Sequence, residues 1–395
     1  MISIKKEFPL LKKKPNLVYL DNAATTQKPQ IMIDAIVEYY SNFNSNIGRG
    51  TYDLAYQSQV CYEQSKSIVA EFINTKPHNI IYTSGCTESL NLAAYIAKQN
   101  ICKKYIILPI TEHHANILVW QRLAHENSLD IYWVNDSELI MNPYNIPQDI
   151  LDNTAIMSIA HVSNVTGEEY PISKWCELTK KIGAISVIDG AQSITSLKID
   201  ISKINCDFFS FSAHKLYGPM GLGVLFINDK FLHHQPMKLG GGIIEDVETT
   251  HHTFIDESSR FEAGTPNIAN AYAFSKVITW LEENHWDKLL EQTHILGEYL
   301  ENELKKLNLN PLEINSKFTK THISSFVIPG VHSHDVGTFL SQKNIAVRVG
   351  KHCAYPFHKY LNVNSSIRVS IGIYNTKDDI DEFILAIKDC IIYFN

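Results

Sequence analysis

Lys215 sits in the segment Ser210-Phe-Ser-Ala-His-Lys-Leu-Tyr-Gly-Pro-Met-Gly-Leu-Gly, after an apolar β-type run and before a glycine-rich turn. An amine held at the end of a rigid strand and partly desolvated has a lowered pKa and can form a Schiff base with a carbonyl. Ser212 and His214 stand beside it and can donate hydrogen bonds to a phosphate. Asp189 closes the run Ile185-Ser-Val-Ile-Asp, where open α/β sheets place ligand-contacting residues, and Gln192 follows three positions later. In Ser84-Gly-Cys-Thr-Glu, a glycine turn leads into a helix start, so Gly85, Cys86 and Thr87 form a natural phosphate cradle. Glu112-His-His-Ala-Asn follows a third apolar run, and an imidazole there, that of His113, can stack on a flat ring and handle protons. Taken singly, Asp189 is an ordinary helix cap, Gly85-Cys-Thr-Glu a capping box and the His113-His114 pair a loop. Their order along one chain points to pyridoxal 5′-phosphate (PLP), whose pyridine nitrogen needs a carboxylate partner and whose phosphate needs backbone donors.

These groups require a framework, and the rest of the chain supplies one. The 395 residues are 45% hydrophobic and 19% charged, enough for a sizeable core and two domains. Short apolar runs at 79–83, 104–110, 131–134, 155–161, 185–189, 207–212 and 223–227 alternate with amphipathic stretches at 56–72, 88–98 and 173–182. That alternation predicts a doubly wound, mainly parallel sheet covered by helices on both faces. Beyond Pro266 the texture changes to helices at 269–283 and 286–306, strands at 323–328, 346–349 and 366–373, and a closing helix at 377–391. The expected organisation is a large α/β domain over 17–268 and a smaller α+β domain over 269–395 joined by residues 1–16.

Composition also excludes classes. The net charge of −7 is spread along the chain and the lysine clusters are short, so a nucleic-acid surface is not expected. No stretch approaches the ~18 apolar residues of a membrane span, and the start Met1-Ile-Ser-Ile-Lys-Lys has no apolar leader. Seven cysteines without a CxxC pair fit a reduced, cytoplasmic setting. The pairs His233-His234 and His251-His252 are adjacent, point apart on a strand and have no completing carboxylate, so no metal site is expected.

The residues also carry a resemblance over nearly the whole length. Tyr19-Leu-Asp-Asn-Ala-Ala-Thr-Thr, Thr83-Ser-Gly-Cys-Thr-Glu, Glu112-His-His-Ala-Asn, His161-Val-Ser-Asn-Val-Thr-Gly, Asp189-Gly-Ala-Gln-Ser, Ser212-Ala-His-Lys-Leu-Tyr-Gly-Pro, Arg260-Phe-Glu-Ala-Gly-Thr-Pro-Asn, Arg348-Val-Gly-Lys-His-Cys-Ala and Arg368-Val-Ser recur as a set. The chain resembles the class V, fold type I PLP enzymes, most closely the Suf-type (group II) cysteine desulfurases. The resemblance implies that Lys215 carries PLP, Asp189 pairs with the pyridinium nitrogen, Gln192 meets the phenolate oxygen and His113 stacks on the ring. Thr87, Ser212 and His214 would bind the phosphate. Thr265 would reach the phosphate of a neighbouring subunit, which implies a homodimer. Arg368 and Asn164, with Arg348 nearby, would hold the carboxylate of L-cysteine.

Sulfur chemistry then rests on Cys353, whose polar neighbours Lys351 and His352 favour a reactive thiolate in a flexible segment. Fifteen positions separate Cys353 from Arg368, which resembles the short cysteine loop of group II, and a loop that short implies a dedicated acceptor protein that collects the persulfide, for iron-sulfur cluster assembly. The chain departs from the family pattern at Gly48 and Tyr52, where histidines are usual, at Cys86 in the phosphate loop and at Ala213. A selenocysteine lyase, or a sulfur-relay scaffold without catalysis, remain the alternative readings.

Overall fold

The computed structural model describes residues 4–394; residues 1–3 and 395, the extremities of the expected smaller unit, lie outside the described residues. Seven strands form one sheet: β1 (Ile80–Thr83), β2 (Tyr105–Pro109), β3 (Asp130–Val134), β4 (Thr154–Ala160), β5 (Ile185–Asp189), β6 (Phe208–Ser212) and β7 (Gly223–Ile227). Their order is β1-β7-β6-β5-β4-β2-β3. The ladders from β3 across to β6 are parallel, and β7 is antiparallel to both of its neighbours. Every residue of β4 to β7 is buried, which is why these strands read as continuous apolar runs: a parallel sheet is covered on both faces.

Four helices that follow or precede these strands matter for the site: α1 (Asp53–Phe72), α2 (Cys86–Lys98), α3 (Ala115–Asn127) and α4 (Ile172–Ile182). On α4, Ile172, Trp175, Cys176 and Leu178 turn inward while Lys180 and Lys181 occupy the last turn, complementing the helix dipole. Gly183, at φ +67°, ends that helix in the left-handed conformation that favours glycine.

Helix α5 (Ile268–Glu283) begins at Asn267, whose side chain accepts the Asn270 N–H. It is buried almost all round, through Ala269, Ala271, Ala273, Phe274, Val277 and Leu281. Its partners are α1 and the core of the large sheet, with Phe274 packed 6.4 Å from Phe211. By packing, the helix expected to open the smaller unit therefore goes with the large sheet.

The smaller unit contains α6 (Trp286–Lys306), β8 (Ile323–Phe326), β9 (Arg348–Gly350), α7 (Tyr355–Tyr360), β10 (Ser366–Ser370) and α8 (Lys377–Phe394). Its antiparallel sheet has the order β8-β10-β9. The run expected as one strand at 346–349 is divided at Val347. Ile345–Ala346 pairs in parallel with Val18–Tyr19, and Arg348–Gly350 moves over to β10. Val18 and Leu20, expected with the large domain, join Leu296, Phe326, Ile367 and Phe383 in the core of the smaller unit, whereas Ile4, Phe8 and Leu11, expected with the smaller unit, pack into the core of the large one beside Tyr217 and Phe274. Burying one such side chain contributes about 1.5–3 kcal/mol.

Among the described residues no helix is long and apolar enough to cross a membrane, and no group of three or more His, Cys, Asp or Glu could hold a metal ion.

Candidate active site

A cavity of about 290 Å³ opens where the carboxyl ends of the large sheet face the smaller unit. This is the position physics favours for a ligand in an open α/β sheet. The structure brings together Lys215, Asp189, His113, Gln192, Ser212, His214, Cys86, Thr87 and Asn164 from one side, with Arg348, Cys353 and Arg368 from the other. Of the residues expected in the site, Thr265 is not on this wall. It lies, exposed, on a second cavity of about 880 Å³ beside the Gly48–Tyr52 segment.

Lys215 follows β6 in a short 3₁₀ turn, and burial lowers its pKa, an effect that Asp189 partly offsets. The turn is gripped from the N-terminal segment. The His214 carbonyl accepts from the Thr26 backbone N–H (3.2 Å), from the Thr25 and Thr26 hydroxyls (3.1 Å each) and from Lys28 Nζ (2.7 Å). Among the described residues no carboxylate pairs with Lys28, and burial lowers its pKa to about 7.

Asp189 ends β5. Its Oδ1 accepts the Ala191 N–H at 2.9 Å and lies 3.5 Å from Cys86 Sγ, and burial raises its pKa. Cys86 begins α2, and its N–H donates to Ser212 Oγ at 2.8 Å, so that donor of the expected cradle is already engaged with β6. Thr87, next on the helix, is exposed at the cavity. The close approach of β1 and β7 beneath this turn depends on glycine, since a Cβ on Gly223 would stand 2.4 Å from Gly85 Cα.

His113 precedes α3, and its Nδ1 accepts the Ala115 N–H at 3.1 Å, which assigns the ring proton to Nε2. Burial, followed by the nearby Lys215 charge, lowers its pKa to about 3, so the imidazole is neutral at pH 7. The loop carrying it is anchored by Glu112, which accepts from Ala160 N–H at 3.0 Å and from Asn116 Nδ2 at 2.6 Å. Burial raises the pKa of Glu112 to about 8.

On the facing side, Arg368 from β10 donates through Nη1 to the Asn164 carbonyl at 2.9 Å. Its Nη2 lies 3.5 Å from Asp21, and its Nε, buried, has no partner. Arg348 forms a two-pronged contact with Asp21, the shortest arm being 2.8 Å. Burial lowers the pKa of Arg368 to about 10, with Asp21 opposing, so the guanidinium stays charged at pH 7.

Cys353 and His352 both adopt left-handed backbone, at φ +56° and +48°, a conformation that costs non-glycine residues about 1–3 kcal/mol each and persists only where surroundings impose it. The surroundings are visible. His114 N–H donates to the Cys353 carbonyl at 2.7 Å, and Asn164 Nδ2 to the His352 carbonyl at 2.6 Å. The thiol segment expected to be flexible is thus a fastened turn, with its exposed cysteine at the cavity.

Two residues that the sequence reading did not single out, and His352, read there only as a polar neighbour of the thiol, complete the wall or its support. Asp21 balances both arginines, Ala23 offers its carbonyl to Gln192 Nε2 at 2.9 Å, and His352 lines the cavity. Asp21 and Ala23 lie in the quoted Tyr19-Leu-Asp-Asn-Ala-Ala motif, which was the available signal.

A profile of the family described as aminotransferase class-V matches residues 18–383. The chain belongs to the aminotransferase class-V family. A Staphylococcus aureus (strain Mu50) protein named "Probable cysteine desulfurase" is 38% identical over 400 residues, spanning 99% of this chain and 96% of its own length. A protein of the same name from Borreliella burgdorferi is 36% identical, over 98% of this chain and 96% of its own. The apo structure of a cysteine desulfurase from Thermococcus onnurineus superposes with a TM-score of 0.92 at 31% identity, covering 99% and 98% of the two chains. An S-sulfonic acid form of the Escherichia coli cysteine desulfurase CsdA gives 0.89 at 29% identity, covering 99% and 98%. The fold is accordingly that of a fold type I, class V enzyme.

The class-V aminotransferase family is a PLP family, and the wall fits that group. Gln192 Oε1, His214 Nδ1 and Arg368 Nε are buried polar atoms without protein partners on one cavity, the condition that a polar ligand relieves. An amine, a buried carboxylate and a neutral imidazole stand on the same wall.

Proposed function

We propose that this chain is a PLP-dependent cysteine desulfurase that takes sulfur from L-cysteine onto Cys353 and yields L-alanine. The observation that carries the reading is the sharing of one cavity by Lys215 and Cys353, with the half-satisfied Arg368 guanidinium on the same wall. The names of the full-length relatives support it. In this reading Lys215 would carry PLP, Asp189 would pair with its pyridine nitrogen, His113 would stack on the ring, Gln192 would meet its phenolate oxygen, and Thr87, Ser212 and His214 would hold its phosphate, with Cys86 on the same wall. Bound there, PLP serves as an electron sink for charge developing at the substrate Cα.

The protein's own groups do the rest. Arg368 Nε and Nη2 form the free side of a planar fork, Nη1 being engaged with Asn164, and this side grips the substrate carboxylate. Asn164 fixes both Arg368 and the cysteine turn, and Arg348 guards the mouth. Lys215 Nζ takes the Cα proton. Cys353 Sγ, as thiolate, attacks the substrate sulfur, so a sulfur–sulfur bond forms as the carbon–sulfur bond breaks. The Cβ left behind gains a proton, Lys215 Nζ returns one to Cα, and the product departs as alanine, leaving a persulfide on Cys353.

Thr265 lies away from this chain's own cavity; in this reading it serves the site of a second copy, and the working form proposed is a homodimer. A cytoplasmic, Suf-type acceptor protein collects the persulfide for iron-sulfur cluster assembly. The test is to load the protein with PLP, record its visible absorbance, and measure alanine and sulfide from L-cysteine for wild type and Cys353→Ala. A coloured Cys353→Ala protein without sulfide production is expected. A coloured wild type indifferent to Cys353 would overturn the reading, and selenocysteine turned over with L-cysteine inert would assign a selenocysteine lyase.

A further inference from the structure

The Cys353 turn backs onto a polar bridge that the reaction above leaves out. His352 Nε2 and His358 Nε2 each lie 3.0 Å from the same Ser366 Oγ. His358 Nδ1 lies 3.0 Å from the Ala354 carbonyl. All three residues are buried, and they come from the turn, α7 and β10 respectively in the order His352, His358, Ser366.

Donors and acceptors admit one arrangement in the neutral bridge. A carbonyl only accepts, so His358 carries its proton on Nδ1 and its Nε2 is an acceptor. Ser366 therefore donates its hydroxyl proton to His358 Nε2, and its oxygen accepts from His352 Nε2–H. The Gly350 carbonyl, 3.5 Å from Ser366 Oγ, is too distant to compete for that proton. His352 is thus left with a bare Nδ1, in accord with the absence of any partner on that buried atom. Burial keeps both rings neutral, assisted by Arg368 and Arg348 facing His352 and by Lys351 facing His358.

We propose that Ser366 and His358 are positioning residues for Cys353, acting through the ring of His352 to hold the left-handed His352–Cys353 pair where the thiol meets the substrate sulfur. The Asn164 side-chain amide and the His114 backbone N–H pin the two carbonyls of the turn, and the bridge pins its side-chain face to two further elements. The inference rests on Cys353 being the sulfur-accepting nucleophile. Neither Ser366 nor His358 lies on the cavity wall, so cofactor binding should not depend on them.

The experiment compares wild type with Ser366→Ala, His358→Phe and His358→Gln in the PLP-loaded enzyme. Nitrogen-15 labelling of histidine reads the tautomers: Nε2–H at His352 and Nδ1–H at His358 are expected, with the His352 assignment lost in Ser366→Ala. Iodoacetamide labelling of the Cys353 peptide, followed by mass spectrometry, should be about fivefold faster in Ser366→Ala and His358→Phe, since one lost hydrogen bond loosens the turn by that order. Turnover should fall about tenfold with KM and the visible spectrum unchanged, the signature of a misplaced reacting group. His358→Gln, whose carboxamide oxygen can accept from Ser366, should recover most of both. A Nδ1–H tautomer at His352 in wild type would overturn the proposal. So would wild-type labelling and turnover in both bridge-breaking variants, or no difference between His358→Gln and His358→Phe. The tautomer and labelling results decide the bridge even in a protein that makes no alanine, whereas an inactive wild type with an intact bridge removes only the desulfurase reading.

Discussion

Arg368→Lys separates charge from geometry at the carboxylate site. In the structure Nη1 is held by the Asn164 carbonyl at 2.9 Å, Nε is buried without a partner and Nη2 has only a 3.5 Å contact to Asp21. Two donors in a fixed fork therefore await a carboxylate, and hydrogen bonds to charged groups contribute about 1.5–3 kcal/mol each. Lysine keeps the charge but replaces the fork with one point donor and releases Asn164, a loss of about 3 kcal/mol or roughly 150-fold in kcat/KM. A second signature follows from burial, which already pulls Arg368 down to about 10. A lysine begins about two units lower than arginine, so its charge, and carboxylate binding with it, should be lost as pH rises through the neutral range. The assay is spectral titration of the PLP-loaded enzyme with L-alanine and with ethylamine, which is alanine without its carboxylate, alongside turnover of L-cysteine. The variant should weaken L-alanine binding by about two orders of magnitude and barely alter ethylamine binding. An equal loss with both ligands, or a loss below about threefold for L-alanine, would refute the assignment of Arg368 to the carboxylate.

Other outcomes follow from the same geometry. Asp189→Asn removes the buried carboxylate on the cofactor wall and should lower turnover at least about 100-fold, while Asp189→Glu, retaining charge, should keep more activity than Asp189→Asn, both read by alanine formation. Gly223→Ala drives a Cβ into the Gly85 backbone 2.4 Å away, so PLP affinity should drop by about tenfold or more in equilibrium dialysis, together with a lower melting temperature. Stability should fall as pH drops from 7 to 5. His113, His161 and His322 are held neutral by burial with pKa values of about 3, His214 of about 4 and His352 of about 2, and burial also lowers His114 and His358, all below the 6.5 of the unfolded chain. Their stabilisation is present above pH 6.5 and lost as the unfolded state takes up protons below it. Glu112, raised to about 8, and Asp189, Glu168 and Glu169, also raised by burial, act in the opposite sense and offset part of it. The histidines outnumber these carboxyls, each uncompensated proton costs about 1.4 kcal/mol per pH unit, and a flat or inverted profile in urea titrations would contradict the reasoning.

Most of the large sheet was legible because its strands are buried on both faces and so appear as unbroken apolar runs, 185–189 and 223–227 coinciding with β5 and β7. The placement of Lys215, Asp189 and His113 was legible for a related reason: each lies at or just beyond the carboxyl end of such a run. Reach across the fold was not. Asp21 lies hundreds of positions from the arginines it balances, and no local pattern announces that pairing. The strand switch at Val347 is decided by which neighbour each short half can reach, a tertiary matter. Helix α5 read as the opening of a new unit because the composition changes at Pro266, yet its alanine-rich surface lets it lie close against α1. The Ser366–His358 bridge left no trace in sequence, since a serine in a strand and a histidine in a short helix are unremarkable until they meet.

The N-terminal strand sets a timetable for biogenesis. Val18–Tyr19 finds its partner only at Ile345–Ala346, Asp21 closes on Arg348 across 327 positions, and Ala23 N–H bonds Ser370 Oγ across 347. Pairings of that separation carry a large loop-closure cost and form late. A ribosome-bound nascent chain that already exposes the Lys215 turn still lacks the second half of its clasp. Arg348, Cys353 and Arg368 follow Lys215 by 133 positions or more, so a chain that has only just made the Lys215 turn carries an amine with no complete site built around it.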